Sequence, residues 1–489
     1  MVHQGLGSCL IRSAYQVPRW LWCFIVLAAL GGVSQAADRP NIVLIFADDL
    51  GYGDLGCYGE TRWRTPHLDS IAAQGIRFTD FHSSQPVCSA SRASLLTGCY
   101  ANRIGIHGAL FPASKNGIHE NEVLLPELLR PLGYRTCMVG KWHLGHHEKF
   151  LPLQHGFDAY LGLPYSNDMW PHGRVAKSGT FPPLPLFQGN QIIDEDVDGA
   201  DQSTLTQRYT DFAVDFIRGS QGKPFLMYYA HTFPHVPLFV NPEFAGRSTA
   251  GVYGDVLEEF DHSVGRILSA LDEQGVTDNT LVIFTSDNGP WLTYGNHAGT
   301  AGPLREGKGT VYEGGVRVPM IAKWPGRIPA GSVQSENAMT IDILPTIAQI
   351  VGAPLPSHPI DGLDISDLLM AEPNAKCPHD AFYYYYRTGE LQAIRSGPWK
   401  LILPHDALCI DLQAIGADGK PGKSVTRRIQ SPELYRLDVD VAEANDVASQ
   451  NPEVMARMLE YSQRAREDLG DTSIKTTGKG VRPAGAWTP

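Results

Sequence analysis

Two acidic pairs, one cysteine–arginine run and two glycine-flanked lysines hold the side chains of this chain best suited to chemistry. Asp48-Asp49 follows the apolar run 41–46, and Asp287-Asn288 follows a second such run, 280–285. Three carboxylates and one amide oxygen form an all-oxygen donor set, which suits Ca²⁺ or Mg²⁺ better than zinc. A single Asp-Asp pair after a strand is ordinarily a turn or a helix cap. A second run ending in the same chemistry makes a shared metal site the better reading. Residues 86–98 read Pro-Val-Cys-Ser-Ala-Ser-Arg-Ala-Ser-Leu-Leu-Thr-Gly, with Cys88 four positions before Arg92 and an apolar helical segment opening behind them. A lone cysteine before a helix is ordinarily a small buried hydrophobe. Lys141 and Lys308 sit among glycines, where backbone can approach a ligand closely. His143, His231 and His235 have an ordinary pKa of about 6.5, suited to moving protons in either direction.

These groups can meet only if distant segments fold to one place. Residues 41–46 are rich in branched apolar side chains and bounded by Pro40 and Asp48, the pattern of a buried strand. Residues 225–230 and 280–285 have the same character and end at His231-Thr232 and Ser286-Asp287-Asn288. Helical patterns such as 66–74 and 255–274 lie between them, which is the alternation of an α/β fold. Ligands in such folds bind outside the carboxyl ends of the strands, so three polar strand ends predict one shared site. Beyond residue 371 the pattern changes to short strands at 381–386, 392–394 and 399–403, then a helix at 452–469. Met455, Met458, Leu459 and Ala465 are expected to share its core-facing side, and the tail after Asp471 reads as loop.

Residues 86–98 resemble the signature of type I sulfatases, in which the cysteine is oxidised after translation to Cα-formylglycine. Residues 41–56, Gly140-Lys-Trp-His-Leu-Gly, Ser286-Asp-Asn-Gly and residues 307–317 also resemble that family, in its order. Five segments in order are far more specific than any one. Gly162-Leu-Pro-Tyr-Ser-Asn-Asp is similar to the arylsulfatase A and N-acetylgalactosamine-6-sulfatase branch. One position departs: Ala90 stands where the family usually has proline, which leaves open which maturase accepts Cys-Ser-Ala-Ser-Arg.

The resemblance implies an α/β, alkaline-phosphatase-like large domain with a mixed, mostly parallel sheet between helices. It also implies a smaller C-terminal α+β domain with an antiparallel sheet, residues 434–438 forming its last strand. The expected division is 37–374 for the catalytic part and 375–489 for the second. It further implies hydrolysis of sulfate monoesters by a formylglycine hydrate derived from Cys88. Asp48, Asp49, Asp287 and Asn288 would hold Ca²⁺ together with an oxygen of residue 88. Arg92 would support the hydrate, and Lys141 and Lys308 would contact the sulfate. His143 would help break down the sulfated intermediate, and His235 would face the leaving-group oxygen, with His231 a competitor for that role. Ser166 matches a substrate-side position. Asn167 and Asp168 either reach sugar hydroxyls or form an Asx turn. The expected substrate is a sulfated small molecule or glycan, with residues 169–201 shaping the leaving-group pocket. His82, His107, His146 and His147 are expected at the surface or in support of the site.

Three aspartates, one divalent cation and three basic side chains would leave the site at about +2, suited to a singly charged sulfate ester. The chain as a whole is acidic. Residues 1–36 carry Arg12, Arg19 and no acid, then an apolar run over 20–33. As a helix that run reaches about 21 Å, short of the hydrocarbon core of about 30 Å. Ser34-Gln35-Ala36 follows it, so a cleaved signal peptide is expected, with a secreted or periplasmic product and no stable membrane anchor. Losing its two positive charges takes the net charge from −12 to −14, which argues against a nucleic-acid partner. Of the remaining cysteines, Cys377 and Cys409 could bridge, although spacing does not establish it. Two other readings share these features. One is a phosphodiesterase or phosphonate hydrolase of the same superfamily; the other is a non-catalytic sulfated-glycan-binding protein whose Cys88 stays unconverted.

Overall fold

Residues 41–47 are apolar without alternation because both faces of the strand they form are covered: β1 (Asn41–Ala47) is buried at every position. Two-sided burial is what makes a central parallel strand read as a continuous hydrophobic run. The computed structural model describes residues 39–172 and 181–488, so the expected signal peptide lies outside the described residues. β7 (Phe225–Ala230) and β8 (Thr280–Ser286) are covered in the same way. With β2 (Ile76–Phe78), β3 (Arg135–Gly140), β4 (Ala159–Gly162), β5 (Leu186–Gln188), β6 (Gln191–Asp194), β9 (Met320–Lys323) and β10 (Ser332–Gln334) they form one ten-stranded sheet. Its order is β10-β2-β9-β8-β1-β7-β3-β4-β5-β6, and the five strands from β8 to β4 are mutually parallel. β9, β5 and β6 pair antiparallel, giving the expected mixed, mostly parallel sheet.

Alternate residues of β1 belong to two different cores. Ile42, Leu44 and Phe46 pack with α2 (Cys88–Thr97) and α5 (Ile343–Val351). Val43, Ile45 and Ala47 pack on the opposite face with α1 (Pro66–Ala73), α3 (Leu205–Arg218) and α4 (Val252–Glu273). The register then matters. Ala47 lies opposite Ser286, and both Phe46 and Gly140 lie opposite Ala230. The residues that follow, Asp48, Asp287, Lys141 and His231, therefore leave the sheet at one edge.

The C-terminal part is a second, antiparallel sheet. β11 (Phe382–Tyr386), β12 (Glu390–Ser396), β13 (Trp399–Ile402) and β16 (Glu433–Arg436) pair in that order, and α6 (Pro452–Leu469) covers them. A separate hairpin, β14 (His405–Ile410) with β15 (Ser424–Ile429), projects between β13 and β16 in the chain. Along α6 the buried residues are Met458, Ser462, Ala465 and Leu469, a narrow stripe with Met455 half-buried. Leu459 is 39% exposed, correcting the expectation that it packs inward. One helical step of about 100° carries it off the face that Met458 occupies. The tail is not plain loop either: Gly485–Ala486 pairs with Asn116–Gly117, and Trp487 stacks on His147 with ring centres 3.9 Å apart. Cys377 and Cys409 are unpaired, as are the other four described cysteines. Cys377 instead points its thiol at the His379 carbonyl.

A buried ionic network joins the two sheets. Arg395 of β12 reaches Asp80 at 2.7 Å, and Lys400 of β13 reaches Glu313 at 2.8 Å and Glu443 at 3.1 Å. His82 is enclosed there, 2.8 Å from Asp80 and 1% exposed, and not at the surface. Burial pushes the Glu313 carboxyl up, but Lys400, His82, Arg395 and Arg317 override it and hold it at about 2, below its ordinary 4.5. A depressed carboxylate stabilises the fold above its unfolded value, so this contribution is present above pH 4.5 and lost as pH falls toward 2. Glu313→Ala, which leaves buried cations without their partner, should cost about 3–5 kcal/mol in denaturant unfolding at pH 7. The difference from wild type should shrink at pH 3. A loss below about 1 kcal/mol at pH 7 would contradict a structural role for the network.

Candidate active site

Three of the five parallel strands, β1, β3 and β8, end in turns that deliver a charged group. Gly140 adopts φ 101°, and a Cβ there would lie 2.0 Å from the Ala230 carbonyl oxygen. Only glycine allows that turn, after which the Lys141 N–H donates to the same carbonyl at 2.8 Å. Asp49 and His143 also take positive φ, 63° and 61°. Such strain, about 1 kcal/mol or more, persists where the surroundings over-determine it. For Asp49 they do: its N–H donates to Asp287 Oδ1 at 3.0 Å, and its carboxylate accepts from Asn288 Nδ2 at 2.7 Å.

Three cations meet three carboxylates at this edge. Arg92, fully buried on α2, reaches Asp287 at 3.1 Å and Asp48 at 3.4 Å, and donates to the Lys141 carbonyl at 2.8 Å. Lys141 Nζ donates to Asp48 at 2.5 Å and to Ser166 Oγ at 3.2 Å. Lys308 Nζ lies 2.7 Å from Asp49 and 3.5 Å from Cys88 Sγ. Cys88 is the first residue of α2, a helix buried along its whole length. A helix N-terminus favours developing negative charge at that position.

Burial pushes Asp48 up, but Lys141, His235, Arg92 and Lys308 overcome it and hold this carboxyl well below the usual range. Asp287 moves the other way, to about 7, through burial and the charge of Asp48, with Arg92 opposing. Burial raises the Cys88 thiol to about 12 despite the two lysines, so at neutral pH the unmodified residue is not a thiolate. His143 and His235 are held well below their ordinary value, first by burial and then by neighbouring cations, and are neutral near pH 7. Their tautomers follow from their partners. His143 Nε2 donates to the Leu110 carbonyl at 2.8 Å, leaving a bare, buried Nδ1. His235 Nδ1 donates to the Val236 carbonyl at 2.5 Å, leaving Nε2 bare and 3.6 Å from Asp49.

Cys88, His143, Ser166, His235 and Lys308 open together into a cavity of about 240 Å³. A model of the family described as "Sulfatase" matches residues 40–353. The chain belongs to the sulfatase family. Two further models, for the C-terminal regions of N-sulphoglucosamine sulphohydrolase and of aryl-sulfatase, match residues 307–406 and 377–484. Arylsulfatase A of Bos taurus is 44% identical over 402 residues, covering 78% of this chain and 77% of the relative. N-acetylgalactosamine-6-sulfatase of Mus musculus is 36% identical, covering 91% and 89%. Among solved structures, the PsFucS1 sulfatase from Pseudoalteromonas sp. superposes with a TM-score of 0.79 at 29% identity, over 92% and 94% of the chains. This sulfatase is therefore a sulfuric ester hydrolase, and its fold is the alkaline-phosphatase-like one described above.

Within the sulfatase cavity some expected residues meet and others do not. Asp48, Asp49, Asp287, Asn288, Arg92 and Lys141 are buried behind the lining and joined to it through Ser166 and Lys308. His231 is elsewhere: its ring stacks on Phe260 at 4.2 Å and its Nδ1 accepts the Phe233 N–H. Asn167 does not line the cavity, because its Nδ2 is committed to Gln202 and to the Pro237 carbonyl. Asp168 does line it. Sequence reasoning missed Trp291, Glu306, Tyr386, Leu408 and Ile410, which also line it. Trp291 stands four residues past Asp287, and four consecutive tyrosines end at Tyr386; both signals were present. Leu408 and Ile410 carried none, since only the second sheet's position brings their hairpin there.

The donor set was tested against a metal through its unsatisfied atoms. Asp48 Oδ1 and Asn288 Oδ1 are buried and have no hydrogen-bond partner. Two orphaned oxygens beside two further carboxylates fit a hard divalent cation. Ca²⁺ at 100 times its dissociation constant should then raise the unfolding free energy of the wild-type sulfatase by about 2.7 kcal/mol. Asp287→Asn should abolish most of that gain. No shift of the wild type with saturating Ca²⁺ would contradict the metal site.

Proposed function

We propose that this chain is a secreted or periplasmic sulfatase that hydrolyses sulfate monoesters of sulfated sugars or polysaccharides, through a formylglycine made from Cys88 and a Ca²⁺ site. The carrying observation is the setting of Cys88: first residue of a buried helix, 3.5 Å from Lys308 Nζ, and grouped with Asp48, Asp49 and His235. Burial raises this thiol to about 12 as it does those of Cys57 and Cys99, so its charged surroundings are what set Cys88 apart. The named activities of the relatives, arylsulfatase A and N-acetylgalactosamine-6-sulfatase, support a sulfated sugar as substrate and activity on small aryl sulfates. Residues 1–36 serve as signal peptide, 37–374 as the catalytic domain and 375–489 as the C-terminal α+β domain. Among the described residues no helix is long and apolar enough to cross a membrane.

Converted by a formylglycine-generating maturase, residue 88 would supply an aldehyde hydrate, one hydroxyl of which gives up its proton to water and attacks sulfur in line with the departing ester oxygen. Ca²⁺ held by Asp48, Asp49, Asp287, Asn288 and the residue-88 oxygen supplies charge stabilisation for the sulfate oxygens. Lys141 and Lys308, which pair with Asp48 and Asp49, would contact the sulfate together with Ser166. Arg92, anchored by Asp287, steadies the charge on residue 88. An anionic sulfate raises the proton affinity of His235. Its bare Nε2, which shares Asp49 with Lys308, takes up a proton from water and gives it to the leaving alcohol as the sulfur–oxygen bond breaks. His143, with Nδ1 bare, takes the proton from the remaining hydroxyl so that sulfate departs and the aldehyde returns.

Enzyme from its native host should prefer 4-nitrophenyl sulfate to 4-nitrophenyl phosphate by at least about a hundredfold in kcat/KM. Cys88→Ala should lose at least about a thousandfold in kcat while keeping its circular dichroism. A phosphate preference would favour the phosphodiesterase or phosphonate hydrolase reading. Substantial turnover by the alanine variant would defeat the covalent scheme.

A further inference from the structure

The cavity lining is chemically divided in a way the sulfate-binding residues do not use. Phe111, Trp291, Tyr386 and Leu408 make much of it apolar, and Phe111 and Leu408 are 43% and 51% exposed, so the apolar surface runs out to the mouth. Two carboxylates, Asp168 and Glu306, also line it. Among the described residues Lys308 is the only lysine or arginine in the lining, and Asp49 already holds it. Asp168 is 7% exposed, forms no ion pair among the described residues, and its Oδ1 has no hydrogen-bond partner. A buried acceptor left unsatisfied is costly, and a ligand group donating to this carboxyl would offset that cost. Glu306 accepts the Ile410 N–H at 2.9 Å and so ties the C-terminal hairpin to the loop that carries Lys308.

We propose that Asp168, with Glu306, makes the cavity select a leaving group that is uncharged and bears hydroxyls, a neutral sulfated sugar ring, and reject one carrying a second sulfate or a carboxylate. The inference rests on the sulfatase reading above and names its substrate class. One sulfate monoester charge is met by Lys141 and Lys308. A second anion beside it would meet two carboxylates and an apolar surface, with no further cation among the described lining residues to offset its desolvation. A neutral ring faces neither penalty: its hydroxyls can donate to Asp168 while its C–H face covers apolar side chains.

The test compares kcat/KM of the active enzyme on three probes: a monosulfated neutral hexoside, the same hexoside with a second sulfate, and 4-nitrophenyl sulfate. Wild type should favour the monosulfated over the disulfated hexoside by at least about tenfold. In Asp168→Asn the ratio of hexoside to aryl sulfate should fall at least about tenfold, and discrimination against the second sulfate should narrow. Glu306→Gln, which keeps an acceptor for Ile410, should narrow the second discrimination alone. Equal or better use of the disulfated hexoside by wild type would overturn the proposal, as would unchanged ratios in both variants. Inactivity of wild type on all three probes would instead defeat the formylglycine sulfatase reading beneath it.

Discussion

The site depends on charges held out of water at one sheet edge. Arg92, Lys141 and Asp48 are wholly buried, and Asp287 joins them through Arg92. Removing such groups from water costs several kcal/mol per ion, recovered only when every charge has a well-placed partner. Here each partner comes from a different part of the chain: Asp48 from the end of β1, Lys141 from β3, Asp287 from β8 and Arg92 from α2. Slipping one parallel strand by one residue would turn its side chains to the opposite face and leave a buried charge alone. The same balance explains how a chain of net charge −12 can bind an anion. What matters is the local arrangement of three cations, not the surface total.

The rest of the molecule acts on that edge from two directions. From below, two apolar cores press on the faces of β1 and fix its height relative to β7 and β8. From the side, the antiparallel sheet is tied on through Glu313, Lys400 and Arg395, and its hairpin brings Leu408 and Ile410 to the cavity. The second sheet is thus part of the site's wall. The charged groups at the strand ends and part of the cavity wall come from separate sheets.

Much of this was legible in the sequence, for definable reasons. Strands covered on both faces announce themselves as unbroken apolar runs, so residues 41–46, 225–230 and 280–285 lie within one residue of the strands found. Asp48, Asp49 and Asp287 follow closely on two of those runs. Features set by long-range packing were not legible. Asn167 had two local readings, a sugar contact or an Asx turn, but its amide finds Gln202 and Pro237, partners 35 and 70 residues away. His231, a competitor for the role given to His235, has its ring taken up by Phe260. Leu459 has the side chain of a core residue, but only the docking angle of α6 decides which stripe is buried. Cys377 and Cys409 had no local signal against pairing, and the fold leaves both as thiols.

The central claim is that residue 88 does its chemistry as an aldehyde made from cysteine. Peptide mass spectrometry across residue 88, on active protein purified from its native host, tests it most directly. The account predicts a peptide about 18 Da lighter than the cysteine form, or its hydrate, a product outside the ordinary thiol oxidation series. An unmodified Cys88 thiol in fully active enzyme would contradict it.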